Sequence, residues 1–187
     1  MDYYYLISSL PDVAPESDPP VRTEVFLSLC SDWLSAEKLK QLTELTLLPS
    51  DSADQQGGVI AEWSRQETDL RNRLALRRAG NKVEAASLRG EIPFNMTFDA
   101  AITDVWNQTD PRERERMVDR IRFRFLDELE YRHLFDFGRL CIYKLKLMLR
   151  EKWLPRKREP GRAALELTLS SVEEHYRREH PARNEKQ

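Results

Sequence analysis

Glu67 and Asp69 are the residues whose types and spacing most suggest acid–base chemistry, since paired carboxylates perform general acid and base work in many hydrolases. Both belong to the stretch WSRQETDLRNRLALRR, residues 63–78, which has helical periodicity. Two residues apart on a helix lie about 200° apart around the axis, so these carboxylates cannot share one substrate. We therefore interpret each as a member of a structural ion pair with an arginine.

Other catalytic patterns are absent from the sequence. It contains no GxxxxGK followed by Ser or Thr, no GxGxxG, no GxSxG and no HExxH. His133, His175 and His180 are not spaced as a metal-ligand set with the two cysteines. We therefore predict a non-enzyme without cofactor or metal. Cys30 and Cys141 both lie in apolar helical patterns, which favours two buried free thiols over the alternative of a disulfide.

A basic stretch from Arg139 to Arg158 carries eight Lys and Arg against one acid, interleaved with Tyr143 and Trp153. Such a stretch could track a phosphate backbone, form a solvated helix face, or contact an acidic protein surface. The net charge of −2 disfavours nucleic acid, so we rank the acidic protein surface above it. The candidate partner-binding residues are Arg139, Lys144, Lys146, Arg150, Lys152, Arg156, Lys157 and Arg158.

Charge is also divided along the chain. Residues 1–58 carry 10 Asp and Glu against 3 Lys and Arg, whereas residues 59–187 carry 22 against 27. This asymmetry predicts a polarised surface suited to docking between partners.

The helix predicted around residues 63–78 has apolar residues on two sides. Trp63, Glu67 and Leu70 share one face with Leu74, and Asp69 and Asn72 share a second face with Leu76 and Ala79. A helix of this kind is usually packed between neighbours, and charges carried inside need partners. The residues predicted to have structural roles are Trp63, Glu67, Asp69, Asn72, Arg77, Tyr143 and Arg150.

Periodicity along the whole chain predicts an all-α fold of about seven helices, with residues 3–10 either a short strand or a first helical turn. The predicted N-caps are Thr23, Ser35, Thr97 and Asp110, the last followed by Pro111. We expect a flexible loop at 49–58, a C-cap at Gly80, a basic linker after Pro155 and a last helix at 161–178. A break near residue 96 predicts a first helical unit at 1–96 and a second at 97–187.

The segment IYKLKLMLREK, residues 142–152, echoes DLRNRLALRRA, residues 69–79. Leu74 aligns with Leu147 and Arg77 with Arg150. A duplicated three-helix unit, giving two similar units packed side by side, would explain the echo. Chance similarity between leucine–arginine helices would explain it as well.

The amino terminus lacks the basic residues of a signal peptide, and no apolar run is long enough to cross a membrane. We predict a soluble, cytoplasmic protein.

Three segments together carry a resemblance: YYYLISSLP at the start, W…ETDLRNRLALRRA in the middle, and F-D-F…IYKLKLMLREKW later. The chain resembles a small uncharacterised family found with the components of bacterial V-type (A-type) ATPases. Members of that family look like a shortened form of the rotor-cap subunit of these ATPases, which is designated C in bacteria and d in eukaryotes. Rotor-cap subunits are all-helical and carry an acidic-x-x-Asn-x-x-x-x-Arg pattern, which Asp69, Asn72 and Arg77 satisfy here. This chain is much shorter than a full rotor-cap subunit, which has three three-helix units.

The resemblance implies a non-catalytic role that links the membrane rotor ring to the central shaft during proton or sodium ion transport. Its implied partners are therefore the rotor ring and the shaft, and the resemblance implies a peripheral location at the inner membrane, reached only through those partners. Two other functions fit the sequence: a helical scaffold or assembly adaptor unrelated to rotary ATPases, and a nucleic-acid-binding adaptor acting through residues 139–158.

Overall fold

The computed structural model describes residues 3–50, 57–80, 88–90 and 92–154. These residues form helices and connecting loops without a strand, so the predicted all-α fold is confirmed. The helices are α1 (Tyr4–Ser9), α2 (Thr23–Ser31), α3 (Ala36–Glu44), α4 (Gly58–Ala79), α5 (Met96–Asn107), α6 (Pro111–Glu130) and α7 (Phe137–Glu151). The expected last helix at 161–178 lies outside the described residues.

Several helix ends follow from side chains that satisfy the free backbone N–H groups of a first turn. Ser35 accepts from the Lys38 N–H, and Asp110 accepts from the Arg112 N–H with proline in the first turn, as predicted. The prediction for α5 was wrong by two residues, because Asn95 rather than Thr97 accepts from the Phe98 N–H. Gly80 ends α4 with a φ of 58°, a conformation that glycine adopts without a steric penalty.

The main core joins the first and last parts of the described chain. Residues of α1, α2, α3 and the start of α4 share one buried cluster with residues of α6 and α7. A smaller cluster joins α4, α5 and α6 through Leu70, Phe98, Ile102, Val105 and Val118. Residues 1–150 belong to one compact unit and residues 151–187 to another. The first of these units includes residues on both sides of the predicted break near residue 96.

α1 resolves the two alternatives for the first residues in favour of a helical turn. Tyr3, Leu6 and Ile7 are buried in the main core, so this end of the chain is tied down as expected. Tyr4 and Tyr5 are exposed on the other side.

α7 is the most enclosed helix, since every residue from Leu140 to Leu147 is buried. α2 is enclosed on one side only. Its buried residues are Phe26 and Cys30, whereas Val25 and Leu29, which share the helical apolar pattern, are about half exposed. The described chain therefore covers only part of the apolar surface of α2.

Candidate functional site

The polar residues predicted on α4 enter two buried charge clusters. The first is centred on Glu67, whose side chain is fully buried. Arg122 of α6 donates to both carboxylate oxygens, from Nε to Oε2 at 2.8 Å and from Nη2 to Oε1 at 2.6 Å. Arg71 adds a bond from Nε at 2.7 Å, and Asp119 accepts from Arg122 at 2.8 Å. The ion pairing expected of Glu67 is present.

Arg122 stays charged in this enclosed position. Burial by itself would lower the pKa of its guanidinium, but hydrogen bonds and charge from Glu67 and Asp119 outweigh burial and raise the pKa. The bidentate geometry fixes α6 against α4, because a planar guanidinium meets both oxygens of a carboxylate only in one orientation.

The second cluster is centred on Arg73, which is buried although it was not predicted as a structural residue. Its Nε donates to Asp69 at 2.9 Å, and its two terminal nitrogens donate to Asp99 of α5 and to the Pro93 carbonyl. The guanidinium carbon lies 5.1 Å from the centre of the Phe98 ring. The position of Arg73 four residues after Asp69 was the signal that could have identified it.

Asn72 pins a loop to α4. Its side-chain amide donates to the Arg89 carbonyl at 2.7 Å and accepts from the Arg89 N–H at 3.3 Å. Arg77, which was predicted to have a structural role together with Asp69 and Asn72, is not buried with them. It is exposed near the end of α4, where it donates to Thr103 Oγ1 at 2.6 Å.

Glu67 and Asp69 therefore pair with different arginines. Glu67 bonds to α6, and Asp69 bonds through Arg73 towards α5. Trp63, one turn before Glu67, is buried in the main core. These residues hold helices together, and the side chains of Glu67, Asp69 and Arg73 are buried rather than presented at a surface.

Lys144 and Lys146 contradict their predicted role in partner binding, because both are buried. Lys144 Nζ donates to the carbonyls of Leu42, Thr43 and Leu45, at 2.7, 2.9 and 2.8 Å. Those carbonyls end α3, where a cation offsets the negative end of the helix. Burial lowers the pKa of Lys144, and the interaction with nearby Cys141 opposes this change.

Lys146 lies within an acidic pair on α6. Its Nζ is 2.5 Å from a carboxylate oxygen of Asp127 and 2.8 Å from one of Glu130. The ammonium groups of Lys144 and Lys146 are thus bonded to acceptors within the chain. A phosphate backbone cannot reach either group.

Arg150 and Tyr143 fasten the loop before α2. Arg150 donates to the Ser17 carbonyl at 2.7 Å and to the Pro15 carbonyl, and the Tyr143 hydroxyl donates to the Pro11 carbonyl at 3.0 Å. Burial, together with the charge of Asp12, raises the pKa of Tyr143 to about 12.

The other candidates in the basic stretch make different contacts. Arg139 Nη1 lies 2.7 Å from Glu130 Oε2, and Lys152 Nζ lies 5.6 Å from the centre of the Trp153 ring. Arg156, Lys157 and Arg158 lie outside the described residues. Residues 139–154, the described part of the stretch, therefore do not form one continuous basic face.

The two cysteines are buried free thiols, as predicted. Burial raises the pKa of Cys30 and of Cys141 to about 12. The thiolate is the nucleophilic form of cysteine, and a raised pKa keeps both thiols protonated near neutral pH.

A cavity of about 400 Å³ lies beside the start of α4. His133 and Asp136 form part of its wall and approach to 2.6 Å between Nδ1 and Oδ2. No group of three His, Cys, Asp or Glu side chains suited to a metal ion occurs in the described part of the chain. Within the same residues, no helix has the length and apolar character needed to span a membrane. His175 and His180 fall outside them.

Comparison with protein-family models, with curated proteins and with solved structures gives no match to this chain.

Proposed function

We propose that this protein is a non-catalytic coupling component of a V/A-type ATPase, which links the membrane rotor ring to the central shaft during proton or sodium transport. The observation that carries the proposal is the pattern of Asp69, Asn72 and Arg77 on α4, which resembles the pattern of the rotor-cap subunit. The structural contacts of these residues support an adaptor role. Asp69 and Asn72 are used to hold other segments of the body, and Arg77 bridges α4 to α5.

A coupling component must transmit force without deforming, and the internal charge clusters suit that requirement. Glu67 with Arg122 fixes α6 to α4, and Arg73 fixes α5 to α4. Directional bonds between buried charges hold one helix arrangement, because any sliding would leave a charge unpaired in a low-dielectric interior. The described body therefore has the construction expected of a rigid connector.

Nucleic-acid binding through residues 139–158 is not supported. Lys144 and Lys146 are buried, and Arg150 is engaged with the carbonyls of Pro15 and Ser17. The same internal contacts would suit a scaffold or assembly adaptor unrelated to rotary ATPases. The experiment must therefore separate this role from that of an ATPase coupling component.

Affinity purification from the native source makes that separation. The chain is tagged on the chromosome, membranes are solubilised gently, and copurifying proteins are quantified by mass spectrometry. A coupling component should be present with the ATPase subunits in stoichiometric amount and remain in the active enzyme. A scaffold or adaptor unrelated to rotary ATPases should instead recover a different set of proteins, without the ATPase subunits in stoichiometric amount.

The matched control is the tagged Leu147→Asp chain. Leu147 is fully buried, so the charged variant should not fold and should recover none of the ATPase components. Absence of those components from the purified wild-type chain would refute the proposal.

A further inference from the structure

α2 carries apolar side chains on two sides, and the protein covers only one of them. Phe26 and Cys30 are fully buried, and the Phe26 ring centre lies 4.9 Å from that of Tyr143 on α7. On the other side, Val25, Leu29 and Trp33 are 51%, 47% and 48% exposed. A helix that is apolar on two sides is normally packed between two neighbours. Here the second neighbour is not provided by the described chain.

The three exposed residues, which we call the α2 ridge, form one row. They are spaced four residues apart, so each lies one turn beyond the last on the same side of the helix. Trp33 follows the end of α2, but the backbone still turns helically there, since the Leu34 N–H donates to the Cys30 carbonyl at 3.0 Å. A row of apolar residues at one-turn spacing is the pattern by which helices dock on one another. Tryptophan is among the residues that contribute most to such contacts.

Charge around the α2 ridge is acidic. Exposed Glu24 and Asp32 each adjoin a ridge residue, and neither is in an ion pair with another described residue. Arg22, the N-cap residue of α2, is exposed at the start of the helix, but residues 23–35 contain no Lys or Arg. The described residues 3–50 contain seven Asp and Glu against three Lys and Arg. Complementary charge across an interface favours the right partner and disfavours others. The partner should therefore be apolar along one stripe and basic beside it.

This charge also disfavours other occupants. A second copy docked symmetrically on the α2 ridge would place Glu24 and Asp32 against the same acids of its partner. Anionic lipid headgroups and nucleic-acid phosphates would be repelled in the same way.

A second exposed apolar cluster exists but does not specify a partner. It lies at α1 and the turn between α6 and α7, where the Tyr4 and Phe135 ring centres are 4.7 Å apart and Leu134 is 63% exposed. Charges of both signs border it, for example Arg132 and Asp136. It therefore serves here as the control surface.

We infer that the α2 ridge is the docking site for a basic amphipathic helix of a protein partner. Val25, Leu29 and Trp33 supply the apolar contact, and Glu24 and Asp32 pair with Lys or Arg on the partner helix. The other side of α2 is held by the main core, so the ridge is presented on a fixed element. The inference stands apart from the ATPase proposal, since it concerns the chemistry of the partner surface in any assembly.

The test uses the full-length chain and two synthetic peptides. One peptide is an amphipathic helix with a leucine stripe flanked by lysines, and the other has glutamate in place of each lysine. Binding is followed by fluorescence anisotropy of the labelled peptide. We expect saturable binding of the lysine peptide that weakens as salt rises, and weaker binding of the glutamate peptide.

Matched variants locate the site. Leu29→Glu should weaken binding of the lysine peptide about tenfold or more, because it places a charge in the centre of the contact. Leu134→Glu makes the same change in the control surface and should leave the affinity within about twofold of wild type. The combined Glu24→Gln and Asp32→Asn change should reduce the preference for lysine over glutamate. Circular dichroism checks that each variant remains helical.

Four results would overturn the inference. They are failure of the lysine peptide to bind, equal affinity for both peptides, greater loss with Leu134→Glu than with Leu29→Glu, and a wild-type dimer in sedimentation that Leu29→Glu dissociates. The last result would assign the α2 ridge to a second copy of this chain.

Discussion

Replacing Glu67 by Gln removes the charge at the centre of the α4–α6 contact while keeping the shape of the side chain. Glu67 is fully buried and accepts two bonds from Arg122, whose side chain is 13% exposed. Removing one partner of a buried ion pair costs about 3–5 kcal/mol. Two features of the structure reduce that figure.

The first feature is that Arg122 keeps Asp119 as a partner at 2.8 Å. The second is that Gln retains one oxygen that can still accept from the guanidinium. The bond from Arg71 adds little, because that side chain is 45% exposed and exposed pairs contribute about 0–1 kcal/mol. We therefore expect Glu67→Gln to lower the free energy of unfolding by roughly 2–3 kcal/mol, a large share of the 5–15 kcal/mol of a typical domain.

Urea unfolding measures this change, with an unaltered m-value as the check that the same surface is exposed on unfolding. Glu62→Gln is the matched control, since it makes the same substitution on the same helix. Glu62 pairs with Arg132 at 2.5 Å, but the two side chains are 30% and 59% exposed. We expect this control to cost less than about 1 kcal/mol. Equal losses for the two variants would refute the reasoning that burial makes the Glu67 pair strong.

Three further predictions concern other buried groups. Asn72→Ala should lower the free energy of unfolding by about 1–3 kcal/mol, because it breaks both hydrogen bonds to the Arg89 backbone. Arg77→Ala, at an exposed position, is the control and should lower it by about 0.5 kcal/mol or less in the same urea titration. Leu147→Asp should abolish the cooperative thermal transition, since Leu147 is fully buried; a soluble variant with an unchanged midpoint would contradict the core assignment. Cys30 and Cys141 should resist a thiol reagent at about pH 8 until the chain is unfolded. Their pKa values are raised from 9.0 to about 12, so their contribution to stability is complete below pH 9.0 and should be lost as pH rises towards 12, which unfolding titrations across that range would detect.

Local patterns were sufficient to predict most helices of the described chain. Ser35 and Asp110 are capping residues that act within one turn, and their effect can be predicted from the sequence alone. Apolar residues at helical spacing likewise lie on the inward side of α7, for example Leu140 and Leu147. These features depend on neighbours in the chain, so no tertiary knowledge is needed.

Features set by distant segments were missed. Periodicity shows that Val25 and Leu29 share a side of α2, but it does not show whether another helix covers that side. Lys144 looked like a surface residue because its three acceptors lie about 100 residues earlier, at the end of α3. The same reason explains why Arg73 was overlooked, since its partner on α5 lies 26 residues away.

The bonds that α7 makes to the beginning of the chain also determine when the protein can complete its fold during synthesis. Tyr143 reaches back 132 residues to Pro11, Lys144 reaches 102 to Leu42, and Arg150 reaches 133 to Ser17. A ribosome releases the amino-terminal third long before these side chains emerge, so that segment cannot acquire its native anchors on its own. Native folding of the amino-terminal helices must therefore wait for the translation of α7, and a nascent chain stalled before residue 140 should remain accessible to chaperones and proteases.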